Sequence, residues 1–340
     1  MMSARRRLQG DALVALPVRS GRLCAALAAF CTVMAPSAPA GASAPCRVVD
    51  AYAPVARVAE ATVAAPSGEQ VRVFEAKVIA PHPGLYAPSV LGLQPGPRMD
   101  AKILTSLAEA RASRDRAELV RRLSAEVERV SGAFGRFGDF RCNFPIYLSD
   151  TLGQLDGAGR IVDGRRALVL GVDVLDGEQK VISLPTFVAH ELFHRYHYEA
   201  AGFSDDLSER QPIWRALWAE GLATYVSRVI TPGASTADAL MLPADLEQTA
   251  GPKTAVLAAD LLRHLDEVNP EVFTTYFTYG NKDVSRRGLP WRSGYYLGYR
   301  VAERLARRHP LEALVHLKGA PLRAEIGQTL AELAAGRGSQ

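Results

Sequence analysis

The chain has 340 residues, 48% of them hydrophobic and 22% charged, with 40 basic against 36 acidic side chains. That composition excludes a fibrous or low-complexity chain and leaves enough apolar material for one large core or two smaller ones. The formal charge of +4 resides in the first forty residues, where Arg5, Arg6, Arg7, Arg19 and Arg22 face Asp11 alone; the remainder is neutral, which gives no electrostatic case for a nucleic-acid partner or an anionic membrane surface.

Residues 1–40 read as a signal peptide. An arginine-bearing start precedes an apolar run over 23–35, and Ala38-Pro39-Ala40 fits a small-x-small cleavage site. The run is shorter than the roughly 20 residues a membrane helix needs. The expectation is a secreted or periplasmic protein, cleaved near Ala40, with no stable membrane insertion. Residues 41–98 read as an extended segment, because 71–78 alternates with period two and 81–97 is rich in Pro and Gly. Residues 99–335 form the second unit. It opens with a helical stretch over 100–131, broken near Ser113, whose Arg and Glu residues make a solvated face. Strands follow at 144–148 and 167–172, separated by a Gly/Asp-rich turn region over 153–164.

A helix is predicted from after Ser183, with Pro185 in its first turn, to Gly202. A polar loop over 204–210 returns the chain antiparallel into a helix at about 212–230. Further helices are expected at about 253–268, 293–309 and 321–335, with a mixed loop over 276–292 that rims the cleft and a frayed tail at 336–340. The order predicts an α+β fold: a small mixed sheet, one central helix over 184–202 and a mainly helical C-terminal part.

Of the four cysteines, Cys24 and Cys31 belong to the leader. Cys46 and Cys142 remain, and two cysteines in an exported body suggest one disulfide tying the amino-terminal segment to the strand that enters the catalytic core.

The most informative stretch is His190-Glu191-Leu192-Phe193-His194. Histidines four apart share a helix face and can reach one zinc ion, with Glu191 beside them as general base. A catalytic zinc site takes three protein ligands and leaves a position open for water. On one continuous helix His197 stands about 10.5 Å along the axis from His190, too far for both to bind one ion; it is read as supporting the ligands from behind, as substrate-facing or as simply packed. Glu220, on the returning helix, is the third-ligand candidate. Thr224, one turn further, is placed to hold the free ring N–H of a ligand histidine.

These residues resemble the gluzincin metallopeptidases. His190-Glu191-x-x-His194 is similar to their first metal helix, and Trp218-x-Glu220-Gly221-x-Ala223-x-Tyr225 to the third-ligand helix of the aminopeptidase-N-type branch. Tyr295-Tyr296-Leu297-Gly298 resembles that branch's Tyr-x-x-Gly segment. The Gly-x-Met-Glu-Asn segment that captures a free amino end is absent, and the gap to Glu220 is longer than usual there. The chain therefore looks closer to uncharacterised zinc-dependent proteases that share the zincin-like core. The resemblance implies one Zn2+ bound by His190, His194 and Glu220, a peptide or protein substrate, Glu191 as base and Tyr295 as oxyanion donor, with Tyr296 and Tyr299 as rivals for that last role. It also implies an edge strand that pairs with extended substrate. Strand 167–172 is the candidate, with Gly171 among the substrate-binding residues, and Arg292 is expected to hold a substrate carboxylate or carbonyl. The alternatives are a non-catalytic zinc-binding module and a zinc amidohydrolase acting on a non-peptide or cell-wall amide.

Overall fold

The computed structural model describes residues 46–336 except 180, 204–210, 281–283 and 285–287. The leader, the polar loop over 204–210 and the tail beyond 336 lie outside the described residues, and so do the expectations that fall on them. The described residues belong to a single unit, with no division at residue 98. Among them, no helix is long and apolar enough to cross a membrane.

The fold is α+β. Strand β1 (Arg47–Asp50) leads into helices α1 (Ala53–Ala61) and α2 (Ser67–Phe74), the short α3 (Pro88–Leu91), α4 (Pro97–Ala112) and α5 (Arg116–Phe134). Strands β2 (Pro145–Ser149), β3 (Gly157–Val162) and β4 (Arg165–Gly171) follow, and β4 runs directly into α6 (Val172–Glu178). After them come α7 (Leu184–Ala201), α8 (Ile213–Ile230), α9 (Thr236–Leu240), α10 (Leu246–Ala250), α11 (Thr254–Leu262) and α12 (Pro270–Phe277). The chain ends in α13 (Ser293–Leu305), α14 (Leu311–Leu314) and α15 (Gly319–Ala334).

The sheet order is β1-β2-β4-β3. β1, β2 and β4 are mutually parallel along the ladder, and β3 is antiparallel to β4. Ala167, Leu168, Val169 and Leu170 of β4 are all fully buried, as expected for a strand covered on both faces. Two expectations are corrected here. Strand β4 is interior, so the candidate edge strand at 167–172 is not an edge, and the region 153–164 read as turns contains the true edge, β3. Its glycines, Gly157 and Gly159, disguised it. Interior strand glycines commonly mark close approach of another element, and here that element is α7.

The extended reading of residues 41–98 is also overturned. Apart from β1, the regular structure there is helical. The buried residues of the stretch that looked alternating are Val71, Phe74 and Val78. Their spacing of three and four is one helix face, and the helix widens into a π-type turn over Glu75–Ile79. The apparent period of two came from Val73, which is only partly buried against the core. Arg111 of α4 clamps this layer, donating from Nε to the Ala59 carbonyl at 2.7 Å and from Nη2 to Gln70 Oε1 at 2.7 Å.

Cys46 and Cys142 form a disulfide with Cα atoms 5.0 Å apart. It joins the residue before β1 to the approach to β2, the strand with which β1 pairs.

Helix α7 lies at the centre, between the sheet, α5 and α8. This explains its weak amphipathicity: Phe187, Val188, Leu192, Phe193 and Tyr196 are all buried although they do not share one face. Phe134 of α5 meets Phe193 and Tyr196 of α7, with ring centroids 6.0 and 6.2 Å apart. Helix α8 is fixed at its N-terminal end. Its first N–H groups at Ile213 and Trp214 donate to the carbonyls of Glu267 and Leu265 at 3.0 and 2.9 Å, which satisfies orphan donors that Pro212 at the N-cap cannot. The helix expected at 253–268 ends earlier, at Leu262, and the following turn supplies those carbonyls.

Candidate metal centre

The centre begins with the local structure of α7. Ser183 sits at its N-cap with Pro185 in the first turn, and Gly202 closes it in a left-handed conformation at φ 66°, which glycine adopts without Cβ strain. Between these limits His190 and His194 stand one turn apart, and their Nε2 atoms are 3.0 Å from each other. From α8, Glu220 Oε2 lies 3.2 Å from His190 Nε2 and 3.3 Å from His194 Nε2. Ligand atoms at about 2.0–2.2 Å from a tetrahedral zinc ion stand roughly 3.3–3.5 Å apart. The three donors form a triangle of almost that size. It is the one cluster of this kind among the described residues.

Glu220 reaches this position because α8 and α13 cross at glycines. A Cβ built on Gly221 would meet the Gly298 carbonyl carbon at 2.1 Å, and one built on Gly298 would meet the Leu217 carbonyl oxygen at 2.4 Å. Only glycine on both helices permits this approach. Gly221 directly follows Glu220 in α8, and Gly298 is one turn beyond Tyr295 in α13. The crossing thus brings the third donor and Tyr295 to the same end of α7. The Tyr295 ring stacks on His190 at 6.1 Å between centroids, with planes 24° apart.

Burial governs the electrostatics. It pulls the His190 imidazole down to about 4, despite the opposing Glu220 hydrogen bond, so this ring is neutral and keeps a lone pair for a cation. Burial also acts to lower His194, but the carboxylates of Glu220 and Glu191 outweigh it and raise its pKa. Glu220 is held well below the usual carboxylate range, because His194 and His190 overcome the upward push of burial. Glu191 has no such partner, and burial pushes it up to about 7, in the range that suits a general base at neutral pH. Its side chain lies against the edge strand: a Cβ on Gly157 would stand 2.8 Å from Glu191 Cγ and 2.7 Å from Phe187 Cζ.

The centre opens into a cleft of about 1420 Å³. Gly157 to Ile161 of β3 form one wall, residues 87–92 around α3 contribute to the lining, and Phe277, Tyr279, Arg292 and Tyr295 stand on the C-terminal side. The loop over 276–292 does contribute to the rim, as expected, through Phe277, Tyr279 and Arg292.

Several sequence-based assignments do not hold. Thr224 donates its hydroxyl to the Glu220 carbonyl, one turn back on its own helix, and does not support a ligand histidine. Among the described residues, Nδ1 of His190 and of His194 has no hydrogen-bond partner. His197 does not face substrate. It is fully buried, stacks on Phe193 at 5.3 Å and meets Phe203 at 5.1 Å, and burial lowers its pKa to about 3, so it is a neutral core ring. Gly171 sits where β4 turns into α6, against the Leu155 carbonyl oxygen, which a Cβ would approach to 2.0 Å. It is a packing glycine rather than a substrate contact. Of the three tyrosines, Tyr296 hydrogen-bonds Thr254 at 2.9 Å, and Tyr299 accepts from Arg228 at 2.8 Å and donates to Glu303. Tyr295 alone of these lines the cleft.

Sequence reasoning missed β3 and its arginine, Arg160, for the reason given above. It also missed Tyr198, one turn after His194 on α7, with ring centroids 5.5 Å apart. Tyr198 lines the cleft, is 4% exposed, and its hydroxyl has no partner among the described residues. The i, i+4 spacing from His194 was the available signal. No protein family, curated protein or solved structure matches this chain significantly.

Proposed function

We propose that this protein is a zinc-dependent metallopeptidase of the gluzincin type, exported after loss of its leader, with a zincin-like catalytic core. The observation that carries the reading is the triangle of His190 Nε2, His194 Nε2 and Glu220 Oε2, with edges of 3.0–3.3 Å, beside a desolvated Glu191 and open to a large cleft. The donor chemistry fits zinc: two imidazoles and one carboxylate leave a position open, as catalytic rather than structural sites do. When bound, zinc polarises a carbonyl and lowers the pKa of a coordinated water to around 7.

The chain's own residues supply the rest. Glu191 accepts a proton from the attacking water at its carboxylate and returns it to the leaving amine, a role matched by a pKa near 7. Tyr295, stacked on His190, donates its phenolic proton to the developing oxyanion, a bond that contributes most in the transition state. Strand β3 is the sheet edge that lines the cleft, so an extended peptide can lie along it and pair through backbone groups. The intact Glu191 favours this reading over a non-catalytic zinc-binding module, which needs no base.

The test is metal content by elemental mass spectrometry together with cleavage of a mixed peptide pool. The expectation is one zinc per chain, lost in Glu220→Ala and in His190→Ala, and cleavage that depends on the metal. A folded protein that takes up no stoichiometric zinc overturns the proposal.

A further inference from the structure

We infer that Arg292 reads a carboxylate on the substrate, one or two residues from the bond that is cut; the inference rests on the peptidase reading above. Three observations carry it. The first concerns charge. Arg292 lines the cleft, yet among the described residues no carboxylate lies within ion-pair distance of its guanidinium, although the cleft also holds Asp156, Glu178 and Glu191. Two other arginines withdrawn from solvent do have a carboxylate in contact, Arg116 with Asp176 at 2.9 Å and Arg129 with Glu126 at 2.6 Å, whereas Arg111 and Arg228 are held by neutral oxygens. A cation on the cleft wall with no carboxylate in contact is placed to take one from a ligand.

The second observation is that the guanidinium is held in place. Its Nη1 donates to the Leu242 carbonyl at 3.0 Å, and its Cζ lies 3.8 Å from the centroid of the Tyr295 ring. The backbone of Arg292 is left-handed at φ 56° where it caps α13. This conformation is uncommon for a side chain of this size. A guanidinium anchored on Leu242 and set against Tyr295 keeps the rest of its planar fork for an acceptor, and a carboxylate matches that geometry.

The third is reach. Tyr295 stacks on His190 at 6.1 Å. With the two stacking contacts laid end to end, the guanidinium carbon is at most about 10 Å from the His190 ring. An extended chain covers about 3.3–3.6 Å per residue. That upper bound corresponds to about three residues, so a carboxylate one or two residues from the scissile carbonyl lies within reach; one four residues away overshoots it. The carboxylate can be the carboxyl terminus of a short peptide or the side chain of an internal acidic residue.

Arg160, on the β3 side of the same cleft, is the internal control. Its Nε and Nη1 donate to the carbonyls of Val90 and Gly159 at 3.0 and 2.9 Å, so more of its fork is already engaged.

The experiment uses randomised, fluorescein-labelled hexapeptide pools in three forms: free carboxyl terminus without Asp or Glu, amidated terminus without Asp or Glu, and amidated terminus with one Glu at any position. Zinc-loaded wild-type protein is incubated with each, and the cuts are mapped by mass spectrometry. Zinc-loaded Glu191→Gln protein, expected not to cleave, is titrated with each pool by fluorescence anisotropy. The expected result is binding about tenfold tighter for at least one carboxylate-bearing pool than for the neutral amide, with cuts one or two residues from that carboxylate. A preference confined to the free-terminus pool identifies a carboxypeptidase-like substrate, and one confined to the Glu pool an internal acidic residue. In the Arg292→Gln background the ratio between pools should fall to near one, in Arg292→Lys to an intermediate value, and in Arg160→Gln it should persist. The ratio is taken within one preparation, so partial unfolding of a variant does not mimic the effect. Equal binding of all pools, or a preference that survives Arg292→Gln, overturns the inference and leaves the peptidase reading standing. Failure of every pool to bind or be cut removes both.

Discussion

Glu191 and Glu220 are both buried carboxylates within one site, yet they are pushed in opposite directions. Glu220 has two imidazoles against it and ionises readily; Glu191 has a strand and a phenylalanine ring against it and holds its proton up to about 7. This division is what the proposed roles of ligand for Glu220 and base for Glu191 require. Glu191→Gln should keep the zinc stoichiometry and lose about 10²–10⁴-fold in turnover, checked by metal analysis beside peptide cleavage; undiminished turnover removes the base assignment. Tyr295→Phe should cost about 10²–10³-fold, as loss of one oxyanion donor does. Tyr198→Phe is the companion measurement, because Tyr198 also brings an unpartnered hydroxyl to the cleft. If the larger loss follows Tyr198→Phe, the oxyanion role belongs to α7 and not to α13.

Between elements, the decisive contact is the glycine crossing of α8 and α13. The built Cβ on Gly298 meets backbone atoms of Leu217 and Gly221 at 2.4–3.0 Å, and backbone cannot rotate out of the way as a side chain can. Gly298→Ala should force the helices apart, destabilise the fold by about 1–3 kcal/mol as overpacking does, and shift Tyr295 relative to His190. A displacement near 1 Å is enough to lower the rate about 10²-fold. Denaturant unfolding together with turnover at a temperature where the variant is folded tests this; a variant with unchanged rate shows that Tyr295 is not positioned by the crossing. The edge strand is a related case. Gly157 and Gly159 allow Glu191 and Arg195 of α7 to lie directly beneath β3, so the residues that weakened the strand signal are those that let the strand flank the base.

At the scale of the whole molecule, two devices hold the sheet to its surroundings. The Cys46–Cys142 disulfide closes a sequence separation of 96 residues, and constraint of so long a loop in the unfolded chain is worth about 4–5 kcal/mol. The double variant Cys46→Ala/Cys142→Ala should lose stability on that order by denaturant unfolding, and a loss well under 1 kcal/mol would show that the pairing of β1 with β2 does not depend on it. The second device is the acid cluster after β2. Asp173 accepts from the Thr151 and Gly153 N–H groups at 2.8 and 2.7 Å, and Asp150 accepts from the Leu152 N–H at 2.9 Å and from the Ser106 hydroxyl. Together they shape the loop that leads into β3. Burial, and next the charge of Asp173, push the Asp150 carboxyl up to about 7. A carboxyl with a raised folded-state pKa binds its proton more tightly when folded, so its contribution to stability falls as pH rises from the ordinary carboxylate range through about 7. Asp150→Asn should remove that slope. Relative to wild type, the variant gains stability at pH 8 over pH 5 by denaturant unfolding; an unchanged difference between the two pH values contradicts the assignment.

The convergence of His190 and His194 was legible because its information is local. H-E-x-x-H fixes two side chains on one face of one helix, and the Ser183, Pro185 and Gly202 signals that bound α7 are short-range. Glu220 was reachable because α8 has helical periodicity and a return loop of adequate length. The disulfide followed from counting, since only one pair remained outside the leader. What required the tertiary structure is non-local. Val71, Phe74 and Val78 look alternating or helical until it is known what covers them. Interior and edge strands differ only in whether a neighbour pairs with them, so β4 and β3 were exchanged. Thr224 had a carbonyl of its own to bond, and His197 a set of aromatic rings to fill. The sequence by itself determined that His190 and His194 share one helix face, because their spacing is a property of a single helix. The fold alone decided which strand borders the cleft, which tyrosines face it, and that Arg292 stands in it with no carboxylate in contact among the described residues, because each depends on contacts between segments far apart in the chain.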